Sequence, residues 1–169
     1  MEESKMTSDN KIIIIGGSAG SLLALVQILP ELPVIYSFAI VIVLHRKSTD
    51  EETLEQLIKL KSNIAVKTLE DKVPLLPGFI YVAPSNYHLL FEKNSMLSLD
   101  TSEKINYSRP SIDVSFESAA EIYKDQLIGI LLSGSNTDGT KGLQAIQNYG
   151  GIIVIQDPLS AEMPFMPSN

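Results

Sequence analysis

Residues 11–33 read KIIIIGGSAGSLLALVQILPELP, and this stretch decides the fold class. The β-branched run at residues 12–15 is typical of a strand that is buried on both faces of a parallel sheet. Leucine and valine then recur at helical spacing until Pro30 and Pro33 end the helix. The glycines of residues 16–20 allow the chain to turn sharply between the two elements. The stretch therefore predicts a strand, a tight turn and a helix, which is the repeating unit of an α/β sheet protein.

The rest of the chain repeats this alternation. Three more continuous apolar runs predict buried strands, and amphipathic stretches between them predict helices. Two short runs joined by a Lys-Asn-Ser turn predict an antiparallel hairpin. The pattern favours a doubly wound, mostly parallel α/β sheet with helices on both faces and the hairpin as an insertion. The predicted elements are buried strands at residues 38–44, 127–132 and 152–155, helices at 51–61, 112–124 and 139–148, further strands at 64–69 and 79–83, a loop at 73–78, and a hairpin of 88–92 and 96–100.

Composition and charge argue against several classes of function. The 169 residues are enough for one domain with a hydrophobic core, and residues 1–10 read as a disordered lead-in. The net charge of -7 and the absence of any basic run argue against a nucleic-acid partner. Without cysteine the chain has no disulfide, thiol nucleophile or thiolate metal site. The sequence has no secretory signal and no apolar run long enough for membrane insertion, so a cytoplasmic protein is predicted.

Polar residues directly follow three of the predicted buried strands. Ser18 follows the first strand, His45 the second and Asp138 the third. Ligands of open parallel sheets bind beyond the carboxyl ends of the strands, so the three side chains are expected to lie near one another. They are the parts of a Ser-His-Asp triad. The spacing Gly16-x-Ser18-x-Gly20 also matches the turn that exposes a nucleophilic serine in α/β hydrolases.

Each of these residues also has a structural interpretation. Ser18 could cap the helix or bind a phosphate, although no G-x-x-x-x-G-K-[ST] motif is present. His45 could be a buried structural residue, but the chain has only one other histidine, His88, which lies at the start of a predicted strand. Asp138 could simply form a turn, and Asp157 follows the fourth strand and competes for the same role. Two distant histidines without a His-x-x-x-His pair predict no metal site.

Six segments, taken in order, resemble motifs of the chemotaxis receptor protein-glutamate methylesterases, the CheB family. The resemblance runs from residue 11 to residue 169 and covers the catalytic domain of that family. Each motif alone is modest, but six in the right order are highly specific. The segments are IIGGSAGS, VLHR, VAPSNYHL, SRPSID, LLSGSNTDGTKG and QDPLSAEMPFMP, which begin at residues 14, 43, 82, 108, 131 and 156.

The resemblance implies an enzyme that hydrolyses glutamate methyl esters on chemoreceptors and also deamidates certain glutamines. It implies Ser18 as the nucleophile, His45 as the general base and Asp138 as the residue that orients the histidine. Backbone N–H groups at Ala19, His45 and Ser135 are the candidate donors to an oxyanion. No cofactor or metal is implied. The implied partner is the cytoplasmic helical region of methyl-accepting chemotaxis receptors, with no nucleic acid and no direct membrane insertion.

The chain departs from the family pattern at four positions. Ser85 and Asn136 replace glycines, Ser135 replaces methionine and Ser108 replaces histidine. The resemblance makes residues 11–169 a single catalytic domain, without the receiver domain that precedes it in many members and without the family's final helix and strand. Two alternatives stay open. One is a nucleotide- or phosphate-binding flavodoxin-like module, and the other is a catalytically degenerate homologue that docks on receptors without turnover.

Overall fold

A parallel β-sheet forms the centre of the protein. The computed structural model describes residues 11–34, 37–46 and 51–169. The strands of these residues are β1 (Lys11–Gly17), β2 (Phe38–Leu44), β3 (Ala65–Lys67), β4 (Val73–Pro74), β5 (Phe79–Val82), β6 (His88–Glu92), β7 (Met96–Asp100), β8 (Leu127–Leu131) and β9 (Ile152–Ile155). Six of them make one parallel sheet in the order β3-β5-β2-β1-β8-β9. The prediction of a mostly parallel α/β sheet is confirmed; the predicted lead-in at residues 1–10 lies outside the described residues.

Helices cover both faces of this sheet. They are α1 (Ser21–Ile28), α2 (Glu51–Lys61), α3 (Ile112–Tyr123), α4 (Thr140–Asn148) and the short α5 (Phe165–Ser168). Side chains alternate along β1, so Ile14 belongs to a core with residues of α3 and α4, while Ile15 belongs to a core with residues of α1 and α2. The predicted doubly wound arrangement is therefore confirmed. In the described part of the chain, no helix has the length and apolar character needed to cross a bilayer.

The predicted hairpin belongs to a second, antiparallel sheet. Strands β6 and β7 pair directly, and the short strand β4 joins the other edge of β7. The prediction of a loop throughout residues 73–78 is therefore wrong for residues 73 and 74. The sequence did not indicate this strand because two residues are too few to show an alternating pattern. Leu89 of β6 and Leu97 of β7 share a core with Phe116 of α3, which fixes the small sheet against the large one.

The last strand differs from its prediction. Residues 152–155 read as a strand buried on both faces, but Ile152 is 54% exposed and Val154 is 46% exposed. Within the described residues β9 is an edge strand that pairs with β8 alone, and Ile153 is the residue that packs on the core. An unbroken apolar run reports hydrophobicity, but it does not report the position of a strand within the sheet.

The close contact between α3 and α4 depends on a glycine. Gly142 lies in the first turn of α4 against Phe116 of α3, and a Cβ built at Gly142 would lie 2.5 Å from the Phe116 Cβ. Carbon atoms of separate side chains do not approach that closely, so this contact excludes any side chain at residue 142. The contact brings the N-terminal ends of the two helices together at the carboxyl edge of the sheet.

Gly142→Ala should therefore destabilise the protein. In an exposed helix this substitution stabilises by about 1 kcal/mol, because alanine favours the helical backbone. Here overpacking should reverse the sign and lower the free energy of unfolding by about 1–3 kcal/mol. Urea unfolding followed by circular dichroism measures the change, with Gln144→Ala at an exposed position of the same helix as the control. A raised or unchanged midpoint for Gly142→Ala would contradict this packing.

Candidate active site

His45 and Asp138 form a hydrogen-bonded pair at the carboxyl edge of the parallel sheet. His45 is the first residue after β2, and Asp138 lies in the turn between β8 and α4. The distance from His45 Nε2 to Asp138 Oδ2 is 2.7 Å. Asp138 is fully buried, and 12% of the His45 side chain is exposed. The sequence predicts that His45 and Asp138 lie near each other at the ends of their strands, and the two side chains are in direct contact.

Asp138 accepts hydrogen bonds from several groups besides His45. Most of them lie at the first turn of α3, whose helix dipole also favours a negative charge at that end. Burial opposes ionisation of Asp138 most strongly, but the hydrogen bonds from His45, the backbone of α3 and Asn106 outweigh it and hold the pKa of Asp138 below its ordinary value. The additional donors are the Ile112 N–H at 2.6 Å, Ser111 Oγ at 2.9 Å, the Asp113 N–H at 3.0 Å and Asn106 Nδ2 at 3.0 Å.

Asp113 makes the reciprocal contact with α4. Its Oδ1 accepts from the Gly139 N–H at 2.9 Å and the Gly142 N–H at 2.7 Å, two donors at the start of α4 that have no partner within the helix. Its Oδ2 accepts from Asn106 Nδ2 at 2.8 Å, so one amide group bridges Asp113 and Asp138. Burial, together with the nearby charge of Asp138, raises the pKa of Asp113. Asp138 thus caps the start of α3, Asp113 caps the start of α4, and Asn106 bridges the two carboxylates; we call this arrangement the crossed caps.

The contacts of His45 determine the roles of its two ring nitrogens. Because Asp138 is ionised and accepts, Nε2 of His45 carries the proton and Nδ1 is left as an acceptor. The Asn136 side chain lies on the other side, with its Nδ2 at 3.5 Å from Nδ1. Asn136 Oδ1 accepts the Asp138 N–H at 3.0 Å, which turns the amide nitrogen toward the ring. Nδ1 is therefore the ring nitrogen that is able to take a proton.

Ser18 lies in the turn between β1 and α1. Its N–H donates to the Ser133 carbonyl at 2.8 Å, which ties the turn to the segment after β8. Its carbonyl accepts from the Ser21 N–H at 3.0 Å and from Ser21 Oγ at 2.6 Å. The N-cap of α1 is Gly20, whose φ of 82° suits glycine and which makes no side-chain hydrogen bond. The Ser18 hydroxyl is thus not used to cap the helix.

Ser18 and His45 line one cavity of about 250 Å³. Among the described residues no hydrogen bond joins the side chains of Ser18 and His45, although both line this cavity. The remaining walls are mostly apolar, and a pocket of this kind suits an uncharged group such as an ester. These walls come from Ser21 and Leu22 of α1, Leu44 of β2, Arg46, and Thr53, Leu54 and Leu57 of α2.

The three backbone groups predicted to hold an oxyanion differ in availability. The His45 N–H donates to the Gly17 carbonyl at 3.1 Å, so it is already engaged, which argues against this donor. Ala19 and Ser135 are both exposed, and neither lines the cavity. Within the described residues neither N–H donates to another backbone carbonyl, so both are available to a ligand.

His88 and Asp157, the alternatives to His45 and Asp138 in the sequence, make structural contacts. His88 is buried, its Nε2–H donates to the Glu103 carbonyl at 2.8 Å, and its Nδ1 accepts the Ser111 N–H at 3.2 Å. Asp157 is exposed, and its Oδ1 accepts the Leu159 N–H of its own turn at 3.0 Å. Both nitrogens of His88 are thus occupied by the backbone, and Asp157 stabilises a local turn.

Three polar residues that hydrogen-bond Asp138 were not predicted as site residues. Asp113 lies in the SRPSID segment, and Asn136 stands out in the sequence only as a replacement for glycine. Asn106 lies in a polar stretch without a recognisable motif. Asn106 and Asp113 contact Asp138 from positions 32 and 25 residues earlier in the chain, so no local spacing indicates these contacts.

The fold and this geometry define a class of protein. Ser18, His45 and Asp138 follow β1, β2 and β8, which are adjacent strands of one doubly wound sheet. Side chains of these three types at the carboxyl ends of adjacent parallel strands are the layout of α/β serine hydrolases.

Comparison with known proteins gives the family. A model of the CheB methylesterases matches residues 13–169, and the chain belongs to this family. The chain is 46% identical over 157 residues to a Leptospira interrogans protein, provisionally named protein-glutamate methylesterase/protein-glutamine glutaminase, with 93% of this chain and 81% of that protein covered. The protein of that name from Thermotoga maritima is 35% identical over 168 residues, which cover 98% of this chain and 49% of that protein. The crystal structure of the T. maritima CheB methylesterase catalytic domain matches with a TM-score of 0.89 at 36% identity, covering 94% of this chain and 86% of that chain.

His88→Gln should lower stability. The donor and acceptor of a glutamine amide do not diverge as the two ring nitrogens of imidazole do, so glutamine should keep at most one of the bonds with the Glu103 carbonyl and the Ser111 N–H. A buried backbone group without a partner costs about 1–3 kcal/mol. Urea unfolding measures the change, and Tyr87→Gln at the exposed neighbouring position is the matched control. If His88→Gln unfolds at the same urea concentration as Tyr87→Gln and the wild type, the structural role of His88 is wrong.

Proposed function

We propose that this protein hydrolyses glutamate methyl esters on the cytoplasmic helical region of methyl-accepting chemotaxis receptors, and that it works in the cytoplasm. The proposed roles are Ser18 as the nucleophile, His45 as the general base and Asp138 as the residue that orients the imidazole. The observation that carries the proposal is the His45–Asp138 hydrogen bond beside a cavity that Ser18 also lines. Membership of the CheB methylesterase family supports the substrate class.

In the proposed first step, Ser18 Oγ attacks the ester carbonyl carbon while its proton passes to His45 Nδ1. The tetrahedral intermediate then collapses, the bond to the methoxy group breaks, and His45 returns the proton so that methanol leaves. The use of Nδ1 follows from the contact between Nε2 and Asp138. For this step Ser18 Oγ and Nδ1 have to come into hydrogen-bond distance, and such contacts commonly tighten only when a substrate is bound.

In the second step, His45 removes a proton from water, which attacks the acyl carbonyl. Ser18 leaves with that proton, and the product is a free glutamate carboxylate. The names of both relatives also include protein-glutamine glutaminase. The same acyl-enzyme forms from a glutamine side chain when ammonia leaves in place of methanol, so deamidation is part of the proposal.

Asp138 has an electrostatic role in this scheme. When Nδ1 gains a proton, the imidazolium of His45 lies against the ionised Asp138 carboxylate, which stabilises the new positive charge. For the developing oxyanion we propose the Ala19 N–H, because it belongs to the residue that follows the nucleophile in the strand-to-helix turn. The Ser135 N–H is the proposed second donor.

Ser18→Ala and His45→Gln should each abolish methanol release from membranes that contain methylated receptor. The first change removes the attacking atom and the second removes the base, while circular dichroism should report a folded protein for both. His88→Gln, corrected for its folded fraction, should retain turnover. Release at the wild-type rate by folded Ser18→Ala would overturn the nucleophile. A wild-type protein that binds receptor without releasing methanol would instead favour the degenerate docking homologue.

Asp138→Asn should lower kcat by several orders of magnitude. In a serine protease the same change costs about 10⁴-fold, because the amide favours the wrong tautomer of the histidine. Asp157→Asn is the matched control and should retain activity, since Asp157 contacts only its own turn among the described residues. Steady-state methanol release at equal folded concentrations gives both values. Equal losses in the two variants would refute the role assigned to Asp138.

A further inference from the structure

Part of the wall of the cavity beside Ser18 and His45 consists of leucine side chains. Leu22 in α1 and Leu54 and Leu57 in α2 line it, and we call these three residues the leucine wall. We propose that the leucine wall binds an apolar side chain that lies one helical turn from the esterified glutamate on the substrate helix. This inference rests on the proposed function and adds a rule for which receptor positions are processed.

Helix α1 has a composition that folding alone does not explain. Its sequence is SLLALVQI, and in its first turn Leu22 is 38% exposed and Leu23 is 56% exposed. A surface helix ordinarily turns polar side chains toward solvent. Leu22, four residues after the proposed nucleophile, lines the cavity beside Ser18, whereas Leu23 lines a separate cavity. The exposure of Leu22 therefore indicates a surface that a partner covers during the reaction.

The charges at the cavity suit an uncharged substrate with an apolar neighbour. Arg46 is the one charged residue among the described lining residues, although the whole chain has a net charge of -7. Because no carboxylate is among those residues, the glutamate product meets no like charge there. A charged side chain placed against the leucine wall would lose its hydration, because the three leucines offer it no polar group. The wall thus discriminates against charged and strongly polar neighbours.

The geometry of an α-helix links the two parts of the cavity. Residues four apart on a helix lie on the same face, with Cβ atoms about 5–6 Å from each other. A glutamate ester that reaches Ser18 therefore brings the residue one turn away to the same opening. With the ester beside Ser18 and His45, that neighbour is the substrate group that meets Leu22 and the leucines of α2.

A double-mutant cycle tests this contact. The substrates are helical peptides that carry one glutamate methyl ester and either leucine or glutamine four residues before or after it. The enzymes are the wild type, Leu57→Gln and, as the matched control, Leu60→Gln, which changes a 79% exposed leucine of the same helix. Methanol release gives kcat/KM for each pair, and p-nitrophenyl acetate reports whether the reaction centre itself works.

The wild type and Leu60→Gln should prefer the leucine peptide by about tenfold in kcat/KM at one of the two spacings. Burial of a leucine side chain supplies enough free energy for a preference of this size. Leu57→Gln should lose this preference. Equal rates of the wild type on leucine and glutamine peptides would overturn the leucine wall and leave the proposed function intact, whether or not Leu57→Gln folds. An undiminished preference in Leu57→Gln would also overturn it. Cleavage of p-nitrophenyl acetate without methanol release from any peptide would overturn both proposals.

Discussion

Two buried carboxylates that cap each other's helices hold the candidate reaction centre together. Asp138 accepts the N–H groups at the start of α3, and Asp113, in the first turn of α3, accepts the N–H groups at the start of α4. Each of these buried donors would cost about 1–3 kcal/mol if it were left without a partner. Neither helix end is therefore satisfied without the other, and the close approach at Gly142 is what makes both contacts possible. The position of His45 depends on the same arrangement, because its ring bonds Asp138.

The crossed caps also shift the pKa values of the two carboxylates in opposite directions. Asp138 accepts five hydrogen bonds and Asp113 accepts three, and Asn106 donates to both. The pKa of Asp138 is accordingly lowered, while burial and the charge of Asp138 raise the pKa of Asp113. Helix N–H groups thus supply the stabilisation that a lysine or arginine often gives to a buried carboxylate. Asp138, the carboxylate that contacts His45, therefore ionises more readily than Asp113 does.

The sequence argument succeeds where a residue's position follows from strand order. Buried strands end at a common edge, so the residues after β1, β2 and β8 are expected there, and the pairing of His45 with Asp138 agrees with that expectation. It fails where position depends on packing between distant segments. The crossed caps join residues up to 32 positions apart, and the exposure of β9 depends on its place at the sheet edge. The catalytic roles of Ser18, His45 and Asp138, and the oxyanion roles of Ala19 and Ser135, stay predictions.

One turn controls both nitrogens of the His45 ring. Asp138 holds Nε2 at 2.7 Å, and the N–H of the same residue orients the Asn136 amide that lies 3.5 Å from Nδ1. The first contact is a short, charge-assisted hydrogen bond, whereas the second is at the limit of hydrogen-bond length. A serine hydroxyl that approaches Nδ1 therefore displaces Asn136 at little cost, while the bond to Asp138 keeps the ring in place. A glycine at residue 136 would leave Nδ1 without this donor, so in this chain the amide favours the acceptor form of Nδ1 before the substrate arrives.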